Sequence, residues 1–144
     1  MSLNEQYAPD NIFAKIIRGD MPATKIFETD DVLAFMDLFP QSDGHCLVIP
    51  KKAEAVNFLD IQAADLQALI VETQRTARAV DKALSPDGLR IAQFNGAPAG
   101  QTVFHIHFHI IPIYEGARLD AHAGDGPADA ERLEALATKI EAHL

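Results

Sequence analysis

The chain is poor in the groups that staple or anchor a protein. It has one cysteine, Cys46, in 144 residues, so no disulfide forms within it. Cys46 stands in the apolar run Cys46-Leu47-Val48-Ile49 and is expected to pack as a small core residue. Tryptophan is absent, and basic residues are scarce: 12 Lys and Arg against 21 Asp and Glu give a formal net charge of −9. That balance argues against a nucleic acid or an anionic membrane surface as partner. No apolar run approaches the roughly 20 residues that span a bilayer. The first residues, Met1-Ser2-Leu3-Asn4-Glu5-Gln6, show neither the basic nor the apolar segment of a secretory leader, and a cytoplasmic protein is expected.

What is present suits one globular domain. Hydrophobic residues make up 48% and charged residues 23%, and no repeat or linker divides residues 1–144. Asp10 or Asn11 can cap a helix over Ile12 to Arg18, whose apolar residues 12, 13, 16 and 17 share a face and which Gly19 would stop. Lys25–Glu28 and Val32–Met36 read as strands joined by Thr29-Asp30-Asp31. His45–Ile49 is a third strand, entered through Gln41-Ser42-Asp43-Gly44 and closed by Pro50. A long helix is expected from Asp60, with Leu66, Leu69, Ile70, Thr73, Ala77, Val80 and Leu84 on its stripe and Ser85-Pro86-Asp87-Gly88 at its end. Leu89–Phe94 reads as a fourth strand and Asn95–Gly100 as a glycine-containing loop. Ala121 to Gly126 reads as loose, before a helical tail over about residues 128–143 that carries Leu133, Leu136, Ala137 and Ile140 on one side. Five strands and two or three helices without regular β–α–β alternation predict an α+β fold around an antiparallel sheet.

The most informative segment is His105-Ile106-His107-Phe108-His109-Ile110-Ile111, which holds half of the chain's six histidines. A period of two is the strand period, so the three imidazoles are expected on one face about 7 Å apart, with Phe104, Ile106, Phe108 and Ile110 turned into a core. Three readings fit such a row. It can be the solvated face of an edge strand. It can ligate zinc or copper, with His45 or Asp37 completing the set and Glu115 and Asp120 nearby. Or a neutral imidazole, whose ordinary pKa is about 6.5, can attack phosphorus without a separate base, given donors for the phosphoryl oxygens. The loop Gly100-Gln101-Thr102 would bring backbone N–H groups and two polar side chains to its entrance.

These residues resemble the histidine triad (HIT) family of nucleotide hydrolases and transferases. The resemblance rests on His105–Ile111, on Asn95–Val103 before it, on Asn11–Ile17, on Ala34–Asp37 and on Gly44–Lys52, five motifs in order over residues 11 to about 114. It implies a homodimer in which two five-stranded antiparallel sheets join into one ten-stranded sheet. It also implies a purine nucleotide as substrate, bound with its α-phosphate against the triad. In this pattern His107 is the nucleophile, its Nδ1 proton held by the backbone carbonyl of His105, and a nucleotidyl-imidazole forms that water hydrolyses. His45 and His109 would stabilise the phosphate, with Gln101 and Thr102 near the leaving group, Gly100 among the nucleotide-binding residues and Asn95 on the phosphate side. Asp37 would accept the ribose hydroxyls, and Ile12, Phe13, Ile16, Phe35 and Leu38 would surround the base.

One departure from the family pattern matters. Many bacterial members hold a structural zinc through a Cys-x-x-Cys pair, a histidine after the Lys-Lys pair and the first triad histidine. Here those positions are Asn11, Ala14, Ala53 and His105, so no metal and no other cofactor is expected, and packing of the first helix must take over that role. The expected activity is hydrolysis at the α-phosphate of a nucleoside 5′-phosphate derivative. A phosphoramidate is favoured as substrate, with dinucleoside polyphosphate hydrolysis as the alternative. A non-catalytic purine nucleotide-binding regulator remains a reading from another class. His122 and His143 are given no role.

Overall fold

In the computed structural model, which describes residues 3–119 and 126–144, Asn11 opens the first element. Its extended backbone and its Oδ1, accepting from the Ala14 N–H at 2.9 Å, cap helix α1, Ile12–Arg18. Gly19 ends that helix at φ +84°, a left-handed conformation that a side chain would strain. Strands β1 (Lys25–Glu28), β2 (Val32–Met36) and β3 (Cys46–Pro50) follow as an antiparallel meander. Helix α2 (Ala63–Leu84) leads to β4 (Gly88–Ala92), a short 3₁₀ turn at Ala97–Ala99, β5 (Phe108–Ile113) and helix α3 (Ala130–Glu141). The sheet order is β1-β2-β3-β5-β4, antiparallel throughout, which makes β1 and β4 its edges. This is the expected α+β architecture.

Several boundaries differ from the sequence reading, each for a visible reason. Helix α2 begins at Ala63 and not at Asp60, because the Asp60 carboxylate accepts the N–H groups of Val56 and Asn57 at 3.0 and 2.9 Å and so closes the preceding turn. Its buried stripe runs through Leu69, Thr73, Thr76, Ala79, Val80 and Ala83, whereas Ile70 is exposed. The two threonines enter the core because their hydroxyls donate back to the carbonyls of Leu69 and Glu72. Strand β3 starts one residue late and takes in Pro50, and β4 stops at Ala92.

The largest correction concerns the histidines. Pairing with β3 covers Cys46↔Ile110, Leu47↔His109 and Val48↔Phe108, and pairing with β4 reaches no further back than Ala92↔His109, so β5 begins at Phe108 and His105–His107 precede it. The partner chain turns away after Pro50, and the Ile106 N–H bonds instead to the Ala55 carbonyl at 2.9 Å. Alternation of faces nevertheless survives: Ile106, Phe108 and Ile110 enter the main core, while Phe104 stays half-buried before the turn. That core lies between the sheet and helices α2 and α3, the latter contributing Leu133, Ala137 and Ile140. A smaller apolar cluster, with Phe13 and Ile16 of α1 over Leu33, Phe35, Leu47 and Ile49, covers the opposite face. The stretch expected to be loose falls, apart from Gly126, outside the described residues, as do Asp120 and His122.

Candidate active site

Beside the triad lies a cavity of about 480 Å³ with a strongly apolar wall. Ile12, Phe13, Ile16, Phe35, Asp37, Leu38, Thr102, His107 and His109 all line it, so nine of the residues expected to bind or react meet at one place. The strands supply rigidity, and α1 contributes Ile12, Phe13 and Ile16 to the wall. Phe13 stands edge-on to His107, ring centroids 4.9 Å apart at 90°, and His107 to His109 at 5.0 Å.

The protonation pattern of these rings can be assigned from their partners. His107 Nδ1 lies 2.8 Å from the carbonyl oxygen of His105, and a carbonyl only accepts, so Nδ1 carries the hydrogen and the lone pair is on Nε2. The Gln41 N–H donates to His45 Nδ1 at 3.0 Å, which puts the His45 hydrogen on Nε2. That atom faces His109 Nδ1 at 3.0 Å and Asp37 Oδ2 at 3.3 Å. His109 Nδ1 therefore accepts, and its own hydrogen sits on Nε2. Two adjacent imidazoles thus present opposite ends of their chemistry, a lone pair at His107 Nε2 and a donor at His109 Nε2.

Not every expected residue reaches the cavity wall. His45 is fully buried, and its Nε2 contacts His109 and Asp37. Asp37 also accepts the Phe39 N–H at 2.9 Å. Gln101, expected near the leaving group, is buried as a staple: Oε1 accepts the Gly96 N–H at 2.8 Å and Nε2 donates to the carbonyls of Val56 and Val103. The backbone N–H groups of Gly100 and Gln101 are spent inside the loop, on Ala97 and Gly96 carbonyls. Gly100 sits at φ +108° with the Phe94 ring 3.6 Å from where a Cβ would stand, so it shapes the loop. Asn95 accepts the Phe58 N–H at 2.9 Å and exchanges hydrogen bonds with Gln93. Of the expected loop donors, Thr102 alone lines the cavity.

Other wall residues escaped the sequence reading. Met21–Thr24 follow α1 without periodicity, and Ala130, Leu133 and Glu134 come from a helix whose place in the fold its own pattern does not give. A second hollow of about 470 Å³, between the β1–β2 turn and α2, is lined by Thr29, Asp31, Gln67 and Glu72 among others and brings no nucleophile together.

His105 stands behind the row. It is 1% exposed, with Nε2 2.8 Å from the Pro50 carbonyl and Nδ1 2.7 Å from the Tyr7 hydroxyl. Burial is the main cause that pushes its pKa down to about 4, assisted by His107 and opposed by the Pro50 carbonyl. The ring is neutral at pH 7. The family's structural zinc does not fit here: Ala14 and Ala53 offer no ligand atom, Asn11 is committed as the helix cap, and both nitrogens of His105 are engaged. Among the described residues, Asp37, His45 and His109 bring donor atoms within 4.8 Å of one another, and the hydrogen bonds among them account for that closeness.

Comparison with known proteins bears on this arrangement. The family model of the HIT domain matches residues 18–116. A Schizosaccharomyces pombe protein named as an adenosine 5′-monophosphoramidase is 38% identical over 136 residues, covering 92% of this chain and 97% of its own. The crystal structure of a Bartonella henselae Hit-like protein, described as involved in cell-cycle regulation and as holding an unknown ligand, superposes with a TM-score of 0.91. It is 46% identical and covers 97% of this chain and 100% of its own. A zinc-bound histidine triad family protein from Mycobacterium smegmatis gives 0.80 at 35% identity, covering 93% and 92%.

Proposed function

The chain belongs to the HIT domain family, a family of nucleotide hydrolases and transferases, and on that premise we propose that it hydrolyses nucleoside 5′-phosphate derivatives at the α-phosphorus. The observation that carries the reading is the 2.8 Å hydrogen bond from His107 Nδ1–H to the His105 carbonyl, which aims a lone pair at Nε2 beside the cavity. Nε2 attacks the α-phosphorus and forms a P–N bond. The bond to the leaving group breaks, and its electron pair departs with that group, which accepts a hydrogen bond from His109 Nε2–H and takes its proton from solvent. Water then attacks the same phosphorus and releases a proton to solvent, and the electrons of the breaking P–N bond return to His107 Nε2.

The cavity supports this assignment of parts. The apolar wall of Ile12, Phe13, Ile16, Phe35 and Leu38 takes a purine base, and the Asp37 carboxylate at its end accepts ribose hydroxyls. His45 fixes the tautomer of His109. A P–N leaving group is favoured because an amine gains most from a donor such as His109 Nε2–H, and because the S. pombe relative carries the name of a phosphoramidase. We also propose a homodimer joined along β4, an edge strand with Ile91 46% exposed and Phe94 beyond it 37% exposed, forming a ten-stranded sheet. Sedimentation of the chain as a monomer would exclude that dimer.

The test is hydrolysis of adenosine 5′-phosphoramidate and of diadenosine tetraphosphate in EDTA, by wild type and His107→Ala. Release of AMP that resists chelator and vanishes in the variant is expected, with the phosphoramidate the faster substrate. Binding without turnover in wild type would reduce the protein to a nucleotide-binding module, and chelator-sensitive turnover would replace the histidine nucleophile with a metal.

A further inference from the structure

The segment before α1 lies behind the triad, and the mechanism makes no use of it. Three polar ties hold it there: the buried Asn57 side chain donates to the Leu3 carbonyl at 2.9 Å, Asn11 to Ala8 at 2.8 Å and Arg18 to Pro9 at 2.7 Å. This placement sets the Tyr7 ring against His105, centroids 5.6 Å apart, with the hydroxyl 2.7 Å from Nδ1. Because the Pro50 carbonyl can only accept, His105 carries its hydrogen on Nε2, and its Nδ1 lone pair needs a donor. The Tyr7 O–H is that donor. The backbone carbonyl of the same His105 receives the Nδ1–H of His107.

We propose that Tyr7 is a positioning residue for the nucleophile, holding His105 as the Nε2–H tautomer and, through it, the carbonyl that orients His107; this rests on the hydrolase reading. A chain of hydrogen bonds leads from Tyr7 through the His105 ring to Pro50, and the peptide unit of that clamped residue fixes the ring in front. Burial keeps both partners neutral, pushing the His105 pKa down to about 4 and the Tyr7 hydroxyl above its ordinary range, so the bond persists at pH 7. Without the hydroxyl, the Nδ1 lone pair of a ring that is 1% exposed is left unpaired. The ring then gains by exchanging tautomers or rotating, either of which gives up the Pro50 bond and releases the carbonyl.

The test joins histidine ¹⁵N NMR of the substrate-free full chain with steady-state kinetics, for wild type and Tyr7→Phe. Wild type is expected to show His105 protonated at Nε2 with Nδ1 accepting, and His107 protonated at Nδ1. Tyr7→Phe keeps the ring and its packing, so both signals should shift towards mixed tautomers while kcat falls about threefold to tenfold with KM unchanged. A wild-type His105 protonated at Nδ1 would overturn the proposal even if the variant did not fold. So would a folded variant with unaltered His107 signals or unaltered kcat. Absence of turnover in wild type would sink the hydrolase reading alone, since the tautomer shifts report on Tyr7 independently.

Discussion

The two faces of the sheet carry almost equally apolar residues, yet one is sealed by helices of 22 and 12 residues and the other by a helix of 7. Val32, Ala34, Met36, Cys46 and Val48 point into the sealed core, and Leu33, Phe35, Leu47 and Ile49 point the other way. All ten residues of β2 and β3 are buried. On the first face that burial produces a continuous core under α2 and α3. On the second, α1 is too short to cover the sheet, and the remainder, bordered also by Ala130, Leu133 and Glu134 of α3, is the cavity in which His107 and His109 stand. Apolar burial on one face makes a sealed core and on the other leaves a cavity, and the histidines of the proposed chemistry replace apolar residues on the second face.

Substitutions on the two faces should therefore separate into different readouts. The largest effect is expected on the cavity side: His107→Ala should lower turnover on the order of 10³-fold or more, measured as AMP release, with a small change in unfolding free energy. On the sealed side Ile110→Ala, which truncates a fully buried side chain, should cost about 2–5 kcal/mol by denaturant unfolding and leave turnover per folded molecule intact. The pH profile of stability tests the boundary between the faces. His105 has its pKa lowered on folding, from its ordinary 6.5 to about 4, so the unfolded chain binds more protons between those values. Its contribution, roughly 3 kcal/mol at full separation, is complete above pH 6.5 and is lost as pH falls through 4. A His105→Phe chain should lose that dependence in unfolding titrations. Asn11→Ala removes the cap of the short covering helix and should cost about 1 kcal/mol. Smallest of all, Ile12→Ala, at an exposed wall position, should raise KM a few-fold with stability within about 0.5 kcal/mol of wild type.

The sealed face was the easier to read from sequence. Turn residues bracket β1 and β2 closely, and the 3.6-residue stripe of α3 gave Leu133, Ala137 and Ile140 correctly. The histidine row showed which side each residue faces, because alternation reports side-chain direction. It did not show that pairing starts only at Phe108, because that depends on where the partner strand turns away after Pro50. Asp60 was misread as a helix start since a carboxylate that closes a turn looks the same in sequence as one that caps a helix. Gln101 illustrates the same limit: the residue expected near the leaving group serves as a loop staple, a use that required Gly96, Val56 and Val103 in three dimensions. Tyr7 left no signal, being an isolated aromatic in a segment without periodicity, 98 residues from the ring that it holds.

The most direct measurement is to mix the protein with adenosine 5′-phosphoramidate, quench within the first turnover under alkaline conditions that preserve phosphohistidine, and map the adduct by mass spectrometry. Nucleophilic attack by His107 predicts one adenylyl group on that residue, appearing before AMP and absent from His107→Ala. AMP formation with no adduct at any time, or an adduct on His109 or His45, would contradict it.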